Sequence, residues 1–317
     1  MISLLAWLEK ALGMGTRFFW LRLFEKLSYV LALIIPAVAK RNLNVIRAYA
    51  NLHGVKLESN YRIYRQYLFY QLKLLLDMFL IARISKSSFK QNLVMDKKDE
   101  LRLLDLVQSG QGACIISMHF GNWELGALLF QHYGKNAGSL YFEQLDTALN
   151  NWFTQTRTGI GAHLFHQRKG LKSSLEFLKS GGMMTVICDQ DGTKNGHFLH
   201  FMNLWASFPR SLELFVKHTK APLLPMLLWH EGDQYRFKFY DEITYDNENP
   251  DYASIYKNIC NWMQEIIMHN PEQWLLLYDR FKLRHRPFLQ EKGWLDSSLQ
   301  DYQKAWSGES VEPREYK

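Results

Sequence analysis

Three short apolar runs constrain the fold more than anything else in the chain. They are GACIISM at residues 112–118, MMTVIC at 183–188 and LLPMLLW at 223–229. Runs of this length, set between turn signals such as Gly110 and Gly181-Gly182, read as buried strands. Residues 139–142 and 236–240 read as further strands. Helical patterns occupy 123–133, 146–157, 170–180, 211–219 and 252–269. Strands alternating with helices of this length predict an α/β fold, a layered mixed sheet flanked by helices. Polar and glycine-rich residues fall just after the strands, where open α/β sheets place their ligand sites.

The 317 residues suffice for one large domain, or a domain with a helical appendage. Cys114, Cys188 and Cys260 are an odd number with no CxxC spacing, which argues against a disulfide framework or a structural zinc site. A formal charge of +7 favours anionic partners or surroundings. Aromatic residues make up 15% of the chain, and rings combined with cations suit a bilayer interface.

The N-terminus carries FFWLRLF at 18–24 and LSYVLALIIPAVA at 27–39. The second run is uncharged but thirteen residues long and contains Pro36, whereas a spanning helix needs about 20. There is no early cationic region or small-residue cleavage site of a signal peptide. Residues 1–40 are therefore expected to be an N-terminal helical membrane-anchor segment. It would lie in the interface, with Arg17, Arg22, Lys26, Lys40 and Arg41 toward headgroups. Residues 42–89 continue as helix. The expected organisation is an anchor at 1–40, an α/β domain at 41–290 and a polar tail at 291–317.

The stretch Ser117-Met118-His119-Phe120-Gly121-Asn122-Trp123-Glu124 carries the chemistry. A histidine directly follows a buried strand, and a glutamate sits five residues later at a helix start. Acyl transfer to an alcohol needs a general base for the hydroxyl proton. It also needs a carboxylate to orient the imidazole and stabilise imidazolium. The nucleophile is then the substrate's own hydroxyl, so no enzyme serine is required. Gly121 permits the turn that brings Glu124 back toward His119.

There is no GxSxG elbow, no Walker loop and no GxGxxG. The pairs His163/His166 and His197/His200 fit no standard zinc spacing, so neither metal nor cofactor is expected. No segment looks like a nucleic-acid module.

HFGNWE resembles the signature of the bacterial lipid A biosynthesis (lauroyl/myristoyl) acyltransferase family. Further blocks agree in order. Asp189-Gln190-Asp191-Gly192 resembles its DQD element, and residues 198–211 a following loop. Asn270-Pro271-Glu272-Gln273-Trp274 with Arg280-Phe281-Lys282 resembles its PEQW…RRFK block, and Arg41-Asn42-Leu43 an RNL element. The likeness spans roughly residues 15–287. Cys188 stands where the family has a proline, and the last block has a single arginine.

The resemblance implies a catalytic pair of His119 and Glu124. It implies a functional arginine as well, for which Arg157 is the first choice and Arg168 the second. Asp189, Asp191 and Arg280 join these as substrate-binding candidates. Arg280 also heads a basic stretch with Lys282, Arg284 and Arg286. Implied partners are an acyl-carrier protein or acyl-coenzyme A as donor, a membrane glycolipid such as a lipid A precursor as acceptor, and the bilayer. No nucleic acid is expected, and the implied location is the cytoplasmic face of the inner membrane. A peripheral lipid-binding protein and a lipid hydrolase are the competing readings. Acceptor-dependent turnover separates the hydrolase from the transferase.

Overall fold

The computed structural model describes residues 17–81, 89, 92–143, 146–281, 286–291 and 298–312. The chain opens with α1 (Arg17–Leu31), α2 (Ala37–Leu52), α3 (Asn60–Leu80), β1 (Leu93–Met95), α4 (Lys97–Gln108) and β2 (Ala113–Ser117). Next come α5 (Gly126–His132), β3 (Ala137–Tyr141), α6 (Thr147–Gly159), β4 (Ala162–His166), α7 (Leu171–Lys179) and β5 (Met183–Ile187). A hairpin of β6 (His197–Phe201) and β7 (Leu204–Phe208) precedes α8 (Ser211–Thr219), β8 (Leu223–Glu231) and β9 (Gln234–Phe239). The last elements are α9 (Tyr252–His269), α10 (Arg286–Glu291) and α11 (Ser298–Ser307).

The described residues fall into two compact units. The first gathers those of Met1–Lys26, Tyr70–Ile187 and Leu212–Pro250, and the second those of Leu27–Phe69, Cys188–Ser211 and Asp251–Lys317.

The first unit holds a seven-stranded sheet of order β1-β9-β8-β2-β5-β3-β4. Neighbours run parallel except β8 and β9, so the sheet is mixed, as expected. Every residue of β2 is buried, and its backbone pairs with β5 on one side and β8 on the other. That double pairing lets an uninterrupted apolar run sit in the interior without orphaned amides. Ile115 of β2, Leu103 of α4, Leu129 and Phe130 of α5, and Met226 and Phe237 of β8 and β9 share one core cluster. Each such side chain contributes roughly 1.5–3 kcal/mol on burial. Asp146 starts α6 by accepting a hydrogen bond from the Leu149 amide at 2.8 Å.

The expected N-terminal helical anchor finds no support as one continuous helix. Among the described residues, no helix is long and apolar enough to cross a membrane. The apolar run 27–39 is broken: α1 ends at Leu31, and α2 starts after Pro36, which serves as its N-cap residue. Earlier in α1, Trp20, Leu21 and Phe24 join Leu74, Leu76 and Phe79 of α3 and Trp152 of α6 in an apolar cluster. These side chains thus have protein partners. Leu33 and Ile34, at 72% and 81% exposure, have little cover. Residues 1–16 lie outside the described ones.

In the second unit, residues 197–208 form a hairpin where the sequence reads as a loop, and the helix expected after that loop starts at Ser211. Met202 and Asn203 turn it with φ of 51° and 62°. Two consecutive left-handed residues are what a tight hairpin turn demands, and asparagine tolerates that conformation. Phe201 stacks on Phe281 at 5.9 Å, and Trp274, 1% exposed, packs beside them. The stretch after 291, expected to be polar tail, contains α11, whose Tyr302 and Ala305 are buried.

The three cysteines are buried thiols. Burial pushes Cys260 up to about 12, against a smaller downward pull from Arg280, and raises Cys114 well above the ordinary thiol range. Neither carries appreciable thiolate at pH 8, and the thiolate is the reactive form. The native protein should therefore give no fast reaction with Ellman's reagent at pH 8, and three thiols should react in guanidinium chloride. A thiol titrating within the first minute under native conditions would contradict the packing described.

Candidate active site

His119 lies two residues beyond β2, at the end of the most buried strand of the sheet. The chain must turn sharply there, and Gly121 does so with φ of +62°. No larger residue fits. A β-carbon at this position would lie 2.4 Å from Trp229 Cβ and 2.6 Å from the Leu228 carbonyl oxygen, both on β8. The Asn122 amide then donates to the Leu228 carbonyl at 2.7 Å, and a single 3₁₀ turn, Trp123–Leu125, leads into α5. The turn is thus fixed to a neighbouring strand by backbone contact.

Trp123 touches both candidate catalytic residues. The His119 ring meets it edge-on at a centroid distance of 5.1 Å. Its indole Nε1 donates to Glu124 Oε1 at 3.2 Å. Arg157, in the last turn of α6, grips the same carboxylate through both oxygens: Nε donates to Oε2 at 2.9 Å and Nη2 to Oε1 at 2.7 Å. A two-point charged fork of this kind fixes a carboxylate's plane as well as its position. The Glu124 side chain is 9% exposed and that of Arg157 30%. Burial pulls the guanidinium's pKa down, but the hydrogen bond and charge of Glu124 outweigh it. The net direction is upward, so Arg157 stays charged at any physiological pH. Phe153 lies beneath the guanidinium at 5.2 Å.

Spacing alone leaves Arg157 and Arg168 as alternatives. The fold places Arg157 on Glu124. Arg168 is exposed in the turn before α7, where its backbone amide donates to His166 Nδ1 at 3.2 Å.

Asp189, Asp191 and Arg280 belong to the second unit. Asp189 is 2% exposed, and its Oδ2 accepts from the Trp274 indole at 2.9 Å, so the DQD and PEQW blocks meet. The Asp191 amide donates to the Tyr278 hydroxyl at 2.9 Å, and Asp191 Oδ1 accepts from the Thr193 amide. Arg41 pairs with Asp279 at 2.9 Å, and Asn42 donates to the carbonyls of Leu276 and Tyr278. The blocks at 41–43, 189–191 and 274–280 thus hold one another in place.

Arg280 is 2% exposed, not part of a solvated basic face. Its guanidinium lies 4.3 Å over Phe208 and 5.6 Å over Phe201, and finds no hydrogen-bond acceptor among the described residues. Burial pulls its pKa down, while Tyr278 and Asp189 pull it back. Lys282 and Arg284 lie outside the described residues.

The histidine pairs go to ring contacts: His197 stacks on Tyr256 at 4.8 Å, and His200 lies 4.3 Å from Trp205. Among the described residues, no group of three or more His, Cys, Asp or Glu is placed to hold a metal ion.

Sequence reasoning missed a polar cluster behind the turn. Asn122 and Asp77 are fully buried and hydrogen-bonded to each other, and His230 sits beside them. A lone aspartate inside LLLDMFL and an asparagine inside HFGNWE were the available signals.

Residues 2–283 match the family described as bacterial lipid A biosynthesis acyltransferase. Over 189 residues, the chain is 24% identical to a phosphatidylinositol mannoside acyltransferase of Mycolicibacterium smegmatis (strain ATCC 700084 / mc(2)155). That stretch is 58% of this chain, and it spans 61% of the relative's length. Because the family match runs over most of its length, the chain belongs to the bacterial lipid A biosynthesis acyltransferase family.

Proposed function

We propose that this protein transfers a fatty acyl group from an acyl thioester to a hydroxyl of a membrane glycolipid, with His119 as general base and Glu124 orienting it. The observation that carries the reading is the forked Arg157–Glu124 pair, held beside His119 through Trp123. His119 takes the proton of the acceptor hydroxyl as its oxygen attacks the thioester carbonyl. The tetrahedral intermediate collapses and expels the thiolate, which takes the proton back from imidazolium. The products are an ester and a free thiol. Glu124 stabilises the transient imidazolium, and Arg157 keeps the carboxylate in place.

The proposed donor is acyl-carrier protein or acyl-coenzyme A, and the net charge of +7 favours an acidic carrier. The proposed acceptor is a lipid A precursor, which the family's description favours. The relative's name makes phosphatidylinositol mannoside the comparison to run beside it.

His119→Ala and Glu124→Ala should each lower turnover by about 10²–10⁴-fold while the protein still folds. The assay is mass spectrometry of lipids from cells producing each variant, alongside steady-state kinetics of the purified proteins. Wild-type turnover by Glu124→Ala would sink the pair, and acyl release without an acceptor would favour a hydrolase. Arg157→Ala should lower kcat more than it raises KM, because its partner is Glu124. The reverse split would make Arg157 a substrate-binding residue. Arg168→Ala should behave as wild type.

The protein is further proposed to lie on the cytoplasmic face of the inner membrane. The group of exposed apolar side chains Val30, Leu33 and Ile34, at 64%, 72% and 81% exposure, supports a position at a membrane surface. Arg65 sits 4.3 Å over the ring of Tyr29 beside it. Leu33→Glu with Ile34→Glu should weaken partition onto phosphatidylglycerol–phosphatidylethanolamine vesicles by at least about tenfold, since two large apolar side chains lose their burial. Unchanged co-sedimentation would place the membrane contact elsewhere.

A further inference from the structure

We propose that Asp77 is a positioning residue for acyl transfer: through Asn122, its carboxylate holds the turn that carries His119 and Glu124. The inference rests on the catalytic reading given above for His119 and Glu124.

Asn122 stands midway in that turn and is completely buried. It occupies the N-cap position of the 3₁₀ turn Trp123–Leu125, where an asparagine side chain ordinarily accepts from a backbone amide two or three residues on. Here it makes no such cap. Its Nδ2 donates instead to Asp77 Oδ2 at 2.9 Å. A carboxylate only accepts, so the amide orientation of Asn122 follows from its partner. Burying an asparagine amide is costly unless it is paired, which makes this contact selective for one conformation of the turn.

Asp77 is itself held. It is 1% exposed in the second half of α3, and His230 Nε2 lies 3.2 Å from the same Oδ2. The His230 ring is stacked on Tyr70 at 6.3 Å with the planes 7° apart, and Tyr235 lies 5.1 Å away. One helical turn before Asp77, the buried Lys73 donates to the Gly232 carbonyl and lies 3.7 Å from Asp233 Oδ1. The helix face of Lys73 and Asp77 is thereby tied to the β8–β9 hairpin. That hairpin also supplies Leu228 and Trp229, against which Gly121 and the Asn122 amide are pressed. The turn is therefore fixed twice: its backbone to β8, and its one buried amide side chain to Asp77. Neither Asp77 nor His230 is assigned any contact with substrate. The role is to keep the two reacting side chains in register, where displacement by about 1 Å can cost about 10²-fold in rate.

The test uses the full chain in four variants: Asp77→Ala, Asp77→Asn, Asn122→Asp, and Asp77→Asn combined with Asn122→Asp. Asp77→Asn keeps an acceptor oxygen for Asn122, Asn122→Asp sets two carboxylates face to face, and the combined variant rebuilds the hydrogen bond with donor and acceptor exchanged. The first readout is hydrogen–deuterium exchange of the peptide covering 118–126, with melting temperature as the folding control. The second is palmitoyl-coenzyme A turnover with phosphatidylcholine vesicles carrying a lipid A precursor or phosphatidylinositol mannoside.

Asp77→Ala and Asn122→Asp should speed exchange in that peptide and lower kcat by about 10²-fold with KM little changed. Asp77→Asn and the exchanged pair should recover most of both. Wild-type exchange and turnover in Asp77→Ala would overturn the proposal, as would an exchanged pair no better than Asn122→Asp alone. If the exchange pattern follows Asp77 while His119→Ala retains turnover, the catalytic reading fails and the anchoring of the turn stands.

Discussion

Strand β2 is buried along its whole length and hydrogen-bonded on both sides. It sits fourth of seven in the sheet, so nothing charged can be carried within it at low cost. The first place its chain can present chemistry is where it leaves the sheet, and His119 stands there. The exit is narrow, because β8 approaches so closely that only glycine fits at position 121. A sharp left-handed residue followed by a short 3₁₀ turn returns the chain, and Glu124 falls on that turn. The spacing of His119 and Glu124 thus follows from how a buried parallel strand ends against its neighbour.

The same constraint explains why Glu124 needs Arg157. A carboxylate that is 9% exposed beside apolar rings requires paired donors, and it has the Arg157 fork and the Trp123 indole. Its geometry is set before any substrate arrives, the condition under which an orienting carboxylate is effective. The second unit has a different logic. There the motif blocks serve one another: Asp189 takes the Trp274 indole, Asn42 takes the Leu276 and Tyr278 carbonyls, and Arg280 lies over Phe208. Arg280 is buried against that ring, and its guanidinium finds no hydrogen-bond acceptor among the described residues.

Much of the fold is legible in the sequence, and each miss has its own physical cause. The runs at 112–118, 183–188 and 223–229 became β2, β5 and β8 because strands buried over most of their length leave a clear apolar signature. Strand β4, AHLFH, is only partly covered, and its histidines masked it. Strand β1 is three residues long and has no periodicity to detect. The β6–β7 hairpin was missed because Met202-Asn203 is not a typical turn pair. In α11, Tyr302 and Ala305 are three apart, but the polar residues around them hid the buried face. At the site, His119 and Glu124 are local in sequence and could be read. Spacing could not separate Arg157 from Arg168, and Asp77 reaches Asn122 across 45 residues, a pairing that only the fold makes.

The central claim is that the acceptor's own hydroxyl attacks the thioester, activated by His119, with no acyl group resting on the protein. The direct measurement is a single-turnover reaction of the purified chain with palmitoyl-coenzyme A, quenched in acid at successive times and read by intact-protein mass spectrometry. The account predicts that ester product appears only with a lipid hydroxyl present, while the protein's mass never changes. A protein carrying one palmitoyl group, formed without acceptor and discharged when acceptor is added, would contradict it.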